Sequence, residues 1–138
     1  MRIKRIDHVA ICVADVDQAK AAWERVFGLA GTAREVVASQ KTEALLMPAG
    51  ETSVELIAPK GNETLEKFLA KRGPGLHHVA VEVEGIEEAL VLLKGLGVRL
   101  IDETPRIGAR GHKVAFVHPS AMGGVLVELV DAGGAGAE

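Results

Sequence analysis

Apolar and polar residues alternate from Ile6 to Val13. The alternation sets Val9, Ile11 and Val13 on one face of an extended segment and Ile6, His8 and Ala10 on the other. After it, Val16, Ala19, Trp23, Val26 and Phe27 recur at helical spacing, and Gly28 follows as a stop. Three shorter β-like runs come next, around Thr32 to Val37, Glu43 to Met47 and Ser53 to Ile57. The same order then repeats. His8-Val9-Ala10-Ile11 returns as His78-Val79-Ala80-Val81, and Ile86, Ala89, Leu90 and Leu93 form a second helical stripe closed by Gly97. Strand patterns follow at Val98 to Ile101, Lys113 to Val117 and Val125 to Val130, and Val54-Glu55-Leu56-Ile57 is echoed by Val127-Glu128-Leu129-Val130.

The repeat predicts two homologous βαβββ modules, one over about 3–58 and one over about 75–130. Between them lies a linker helix over about 62–72, where Leu65, Phe68 and Leu69 share a stripe and Gly73-Pro74-Gly75 breaks the chain. Without the regular strand and helix alternation of a parallel sheet, this order predicts an α+β fold. The two modules are expected to pair into a curved half-barrel sheet around a metal site, as one domain over 1–131. The closing stretch from Asp131, mostly Gly and Ala, reads as a mobile tail, with 132–138 outside the domain.

Length and charge narrow the function classes. At 138 residues with a net charge of −3, the chain has room for one core and carries no basic field for phosphate backbones, so nucleic acid is not an expected partner. Charged residues precede any apolar run at the start and no stretch reaches membrane-span length, which points to a cytoplasmic protein with no membrane contact. The lone Cys12 lies in an apolar run and reads as core filler.

The candidate chemistry lies in the duplicated positions. His8 and His78 share a strand face with a small neighbour, Ala10 or Ala80, and Glu55 and Glu128 stand between large apolar residues in each module's last strand. A carboxylate in such a place needs a partner. Paired by a pseudo-twofold, the four residues form a two-nitrogen, two-oxygen site for a divalent metal, leaving two positions of an octahedral ion open. This donor set suits Co(II), Ni(II), Mn(II), Fe(II) or Zn(II), with cobalt the expected ion, and differs from a thiolate-type structural zinc site. His77, His112 and His118 have no repeat partner and read as structural or surface residues. Gly108-Ala109-Arg110-Gly111-His112-Lys113 is a glycine-rich basic loop, in which Arg110, Gly111 and Lys113 are candidates to bind a substrate carboxylate or CoA phosphates.

Ile6-Asp7-His8-Val9-Ala10-Ile11, Gly75-Leu76-His77-His78-Val79-Ala80 and Gly123-Gly124-Val125-Leu126-Val127-Glu128-Leu129 resemble the methylmalonyl-CoA epimerases, of the vicinal-oxygen-chelate superfamily. The stretch from Leu100 to Gly111, followed by Phe116-Val117-His118-Pro119, is the most distinctive part of the likeness. The resemblance implies a homodimer, an acyl-CoA substrate and a divalent metal on His8, His78 and Glu128, with position 55 as fourth ligand. Some relatives carry an amide there, and Glu55 equally matches the His, Glu, His, Glu set of glyoxalase I. Epimerisation needs a stabilised enolate and a base on each side of the reacting carbon. The resemblance points to Glu43 as one base, through its spacing to Pro48, and Glu128 is the candidate for the other. Two alternatives use the same fold: a glyoxalase-type isomerase of glutathione hemithioacetals, and a non-catalytic ligand-binding protein.

Overall fold

The computed structural model describes residues 1–133. The first module runs β1 (Ile3–Cys12), α1 (Val16–Phe27), β2 (Glu35–Val37), β3 (Thr42–Ala49) and β4 (Thr52–Pro59). After α2 (Glu63–Arg72), the second runs β5 (Gly75–Val83), α3 (Ile86–Gly95), β6 (Arg106–Ile107), β7 (Lys113–Val117) and β8 (Val127–Asp131). The duplicated βαβββ order and the linker helix are as the pattern predicts.

The contacts divide the chain into two compact units, whose boundary does not follow the repeat. One unit holds His8–His77, and the other holds Met1–Asp7 together with the chain from His78 onward. The halves of β1 therefore belong to different units. Strand order is β2-β3-β4-β1 in the first and β1-β5-β8-β7-β6 in the second. In each, the opening strand and the last strand of a module pair in parallel, β1 with β4 and β5 with β8.

In the His8–His77 unit, α1 starts on Asp15, whose carboxylate accepts the Gln18 N–H at 3.1 Å, and ends on Gly28 in the left-handed region (φ 70). Val13, Val16, Leu45, Met47, Leu56 and Ala58 form the core beneath it. Met47 and Leu56 are wholly buried, each contributing roughly 1.5–3 kcal/mol by loss of apolar surface from water. The expected stripe on α1 fails at its end. Val26 and Phe27 are 59% and 67% exposed, because Leu29, beyond the cap, is the residue that packs on this core.

In the other unit, Val83, Ile86, Ala89, Leu90, Ala115, Val117 and Leu129 make the corresponding core, with Leu93 packed against it. Helix α3 begins on Gly85, which has no side chain to cap it. Its exposed N–H groups are taken from a distance: Asp131 accepts from Gly85 N at 3.1 Å and from Ile86 N at 3.0 Å. Asp131 is thus the buried last residue of β8 and not the start of a tail. Of the tail expected beyond it, residues 134–138 lie outside the described residues.

The strand expected over Val98 to Ile101 does not form. Only Leu100 makes an isolated bridge, to Val117, and the segment follows β7 through bonds from Ile101 N to Phe116 O (2.9 Å) and from His118 N to Arg99 O (3.0 Å). The second strand of this module is instead the two-residue β6, after Pro105. Among the described residues no helix is long and apolar enough to cross a membrane.

Candidate metal and active site

The strand register builds one buried pair in each unit. On β1, His8, Ala10 and Cys12 form the buried face, and Ala10 lies beside Glu55 in the parallel pairing with β4. His8 and Glu55 therefore project to one side, with His8 Nε2 3.3 Å from Glu55 Oε1. The second module repeats the construction: Ala80 lies beside Glu128, and His78 Nε2 is 3.1 Å from Glu128 Oε1. All four residues are at most 5% exposed. Phe116, opposite Glu128 on β7, sets its ring edge-on to His78, with centroids 5.2 Å apart.

These pairs fit a divalent metal. Two ligands about 2.1 Å from one ion at a right angle stand about 3.0 Å apart, close to both nitrogen–oxygen separations. Each unit thus offers one imidazole nitrogen and one carboxylate oxygen, in a setting where an isolated carboxylate is costly to bury. Cys12 shares the His8 face, but burial pushes its thiol up to about 11, which disfavours the thiolate a metal would need.

Glu43 does not join the pair in its unit. The hairpin of β3 and β4 places Leu46 opposite Glu55, so Ala44 and Leu46 share the face of Glu55. Glu43 is three residues from Leu46 and projects to the other side, with Leu45 and Met47. There Arg34 Nη1 lies 3.2 Å from Glu43 Oε2, and Arg34 also bonds Asp17 of α1. The hydrogen bond to Asp17, more than the charge of Glu43, holds the Arg34 guanidinium above its usual range. Glu43 thus stands on the face of β3 opposite to that of Glu55, with Arg34 as its ion partner. The carboxylate that does share the face of Glu55 is Glu35, which opens β2 half-buried and lies directly opposite Ala44. Its pattern in the sequence does not single it out, because the face of so short a strand is set by its pairing with β3.

The backbone of the basic loop bonds to itself, Gly108 N to His112 O at 2.8 Å and Gly111 N to Gly108 O at 3.2 Å. Arg110 takes a left-handed conformation (φ 59) and its Nη2 lies 3.6 Å from Asp7 Oδ2. Lys113 is next to Val114, which pairs with Val130 on the Glu128 face, so Lys113 projects to the opposite side. Its Nζ meets Glu87 Oε2 of α3 at 2.6 Å, a bond that raises the lysine and lowers the carboxyl from their ordinary ranges. The unrepeated histidines have local contacts: His77 packs on the Phe68 ring at 5.1 Å, and His118 Nδ1 accepts the Ser120 N–H at 3.0 Å.

One cation that the sequence pattern leaves unmarked lies on the Glu128 face. Arg106 pairs with Val114 across β6 and β7, which places it on the same side as Phe116, Val114 and Glu128. Its signal is the parity of its spacing to β7, legible only once the loop length between them is known.

The chain matches the model of the glyoxalase/bleomycin resistance protein/dioxygenase superfamily over residues 7–116. It is 40% identical over 130 residues to the uncharacterized protein YqjC of Bacillus subtilis, covering 94% of this chain and 93% of that one. To the mitochondrial methylmalonyl-CoA epimerase of Bos taurus it is 37% identical, covering 93% of this chain and 74% of the relative. A variant of the Streptomyces coelicolor methylmalonyl-CoA epimerase, solved in complex with 2-nitronate-propionyl-CoA, is 28% identical with a TM-score of 0.87, covering 94% of this chain and 98% of that one. A shared fold, near-complete coverage and a buried His–Glu pair in each repeat agree, and the chain belongs to this superfamily, in the branch of the methylmalonyl-CoA epimerases.

Proposed function

We propose that the protein interconverts the two epimers of methylmalonyl-CoA by moving the proton on the carbon between thioester and carboxylate. The observation that carries this reading is the buried His–Glu pair in each module, found in a chain of the epimerase branch. His8, Glu55, His78 and Glu128 together would hold one divalent ion, which we take to be Co(II). When bound, such an ion supplies Lewis acidity that offsets charge developing on the substrate oxygens.

The chain's own residues do the rest. Glu128 keeps Oε1 against His78 and takes the α-proton on its Oε2, while the electron pair of the broken C–H bond moves onto the thioester oxygen as an enolate. A proton returned to the opposite face inverts the centre. We assign the second side to Glu43, the base that the family resemblance implies, whose carboxylate lies 3.2 Å from Arg34. Phe116 packs against His78 and limits water at that edge. Arg110, Gly111 and Lys113 remain our candidate contacts for the substrate carboxylate or the CoA phosphates. We further take residues 1–131 as one functional domain of a cytoplasmic homodimer, a state that light scattering measures directly.

The test is α-proton exchange of methylmalonyl-CoA with deuterated water, with divalent metal added or chelated, on wild type, Glu128→Gln and Glu43→Gln. Metal-dependent exchange that drops at least a hundredfold in Glu128→Gln is expected. Glu43→Gln should exchange one epimer while failing to invert it. Turnover of a glutathione hemithioacetal with no exchange of methylmalonyl-CoA would establish the glyoxalase-type reaction instead.

A further inference from the structure

Phe116 meets the His78–Glu128 pair from the neighbouring strand. It stands directly opposite Glu128 in the pairing of β7 with β8, and its ring is perpendicular to the His78 imidazole, at 89° with centroids 5.2 Å apart. The main chain beneath the ring is fixed on its outer side. Asp102 Oδ2 accepts the Phe116 N–H at 2.8 Å, and the Phe116 carbonyl accepts the Ile101 N–H at 2.9 Å. Both main-chain groups therefore turn away from β8, and the pairing of Phe116 with Glu128 is of the close, non-hydrogen-bonded kind, in which facing side chains approach most nearly. Shielding a buried His–Glu pair needs only an apolar side chain, and the first module has one at the matching position, where Leu46 stands opposite Glu55. A ring adds what leucine lacks. A perpendicular aromatic pair at this separation is a favoured geometry, and turning the imidazole about its Cβ–Cγ bond would break it. Phe116 is only 9% exposed, so in a close-packed interior it has little room to give way.

We propose that Phe116 is a positioning residue of the metal site, whose ring fixes the plane of the His78 imidazole and so keeps Nε2 aimed at the ion it would share with Glu128 Oε1. This deepens the metal-dependent reading given above and rests on it. Groups behind a ligand that hold its orientation raise metal affinity without touching the ion. The second module thus carries a restraint on its histidine of a kind that Leu46 cannot supply in the first, and the two halves of the duplicated site differ in how their imidazoles are held.

The experiment measures the affinity for Co(II) by calorimetry, and the visible absorption of the bound ion, in wild type, Phe116→Leu, Phe116→Tyr and Val114→Ala. Far-UV circular dichroism of each metal-free protein checks folding, and Phe116→Met, which fills the space without a ring, stands in if the leucine variant does not fold. Phe116→Leu should bind Co(II) about two- to tenfold more weakly, the worth of one aromatic pair, with an altered absorption spectrum. Phe116→Tyr keeps the ring and should restore affinity to within about twofold of wild type, with the wild-type spectrum. Val114 is buried on the same face of β7, packed with Ala80 and Val130, so Val114→Ala loosens the core and should leave both readouts unchanged. Equal weakening in Phe116→Leu and Val114→Ala would reduce the ring to packing and overturn the proposal, as would an affinity and spectrum indifferent to the ring. If wild type binds no Co(II), the proposal and the metal-dependent reading both fail. If the ring governs Co(II) binding yet wild type exchanges no α-proton with metal present, the positioning role stands and the epimerase reading fails. Metal-dependent exchange in a protein whose Co(II) binding ignores the ring overturns the positioning role alone.

Discussion

Replacing Asp131 by alanine tests how the second module compensates for a missing cap. The carboxylate accepts two backbone N–H groups at the start of α3, at 3.1 and 3.0 Å, from a buried position at the end of β8. Loss of an N-cap acceptor costs roughly 1 kcal/mol, and up to about 2 where the site is well formed. Here Gly85 has no side chain to replace it, and the Ile86 N–H is buried, so an unmet donor adds about 1–2 kcal/mol. We therefore expect Asp131→Ala to lose about 2–4 kcal/mol, which for a chain of this size lowers Tm by roughly 6–15 °C. Asp131→Asn, which keeps an acceptor oxygen, should lose about half as much. Urea and thermal unfolding followed by far-UV circular dichroism measure both. A loss below about 0.5 kcal/mol in the alanine variant would refute the claim that Asp131 caps this helix.

Glu43→Gln should lower inversion of methylmalonyl-CoA at least a hundredfold, and inversion within about threefold of wild type would refute its role as the second base. Stability should change by only about 0–1 kcal/mol, as for other ion pairs near the surface. Cys12 should resist a disulfide exchange reagent at pH 8 in the folded protein and react at once in urea. Its folded pKa is raised from 9.0 to about 11, so the native state holds the proton longer than the unfolded one; the stability this gives is complete below pH 9 and is lost as pH rises toward 11. Stability that rose over that interval would contradict a buried neutral thiol.

The duplicated pairs are legible in the sequence because strand alternation has a period of two. His8 and Ala10, or His78 and Ala80, declare their face without any knowledge of neighbours. Where Glu43 stands relative to Glu55 is not legible in the sequence for a different reason. Its own strand face is readable, with Leu45 and Met47, but the face of Glu55 depends on register, and register depends on the turn. The signal lies in Ala49-Gly50-Glu51-Thr52: a two-residue loop with Gly50 at positive φ (68) pairs Ala49 with Thr52 and hence Leu46 with Glu55. Glu35 needs one register more, that of β2 on β3, before its face can be named. Asp131 is hidden in a Gly- and Ala-rich ending, and comparison of the repeats exposes it. The first module caps its helix with Asp15, the second has Gly85 there, and an acceptor has to come from elsewhere. The failed strand over Val98 to Ile101 shows that β-branched composition does not suffice where the chain can pair with its neighbour at only a few points.

The division of β1 between the two units bears on which pieces of the chain can stand alone. Lys4 and Arg5, near its start, are ion partners of Glu82, and Asp7 meets Arg110, so residues encoded at one end of the gene complete a body encoded at the other. A fragment starting at Gly75 would retain β5 to β8 and lack the strand that lies beside β5.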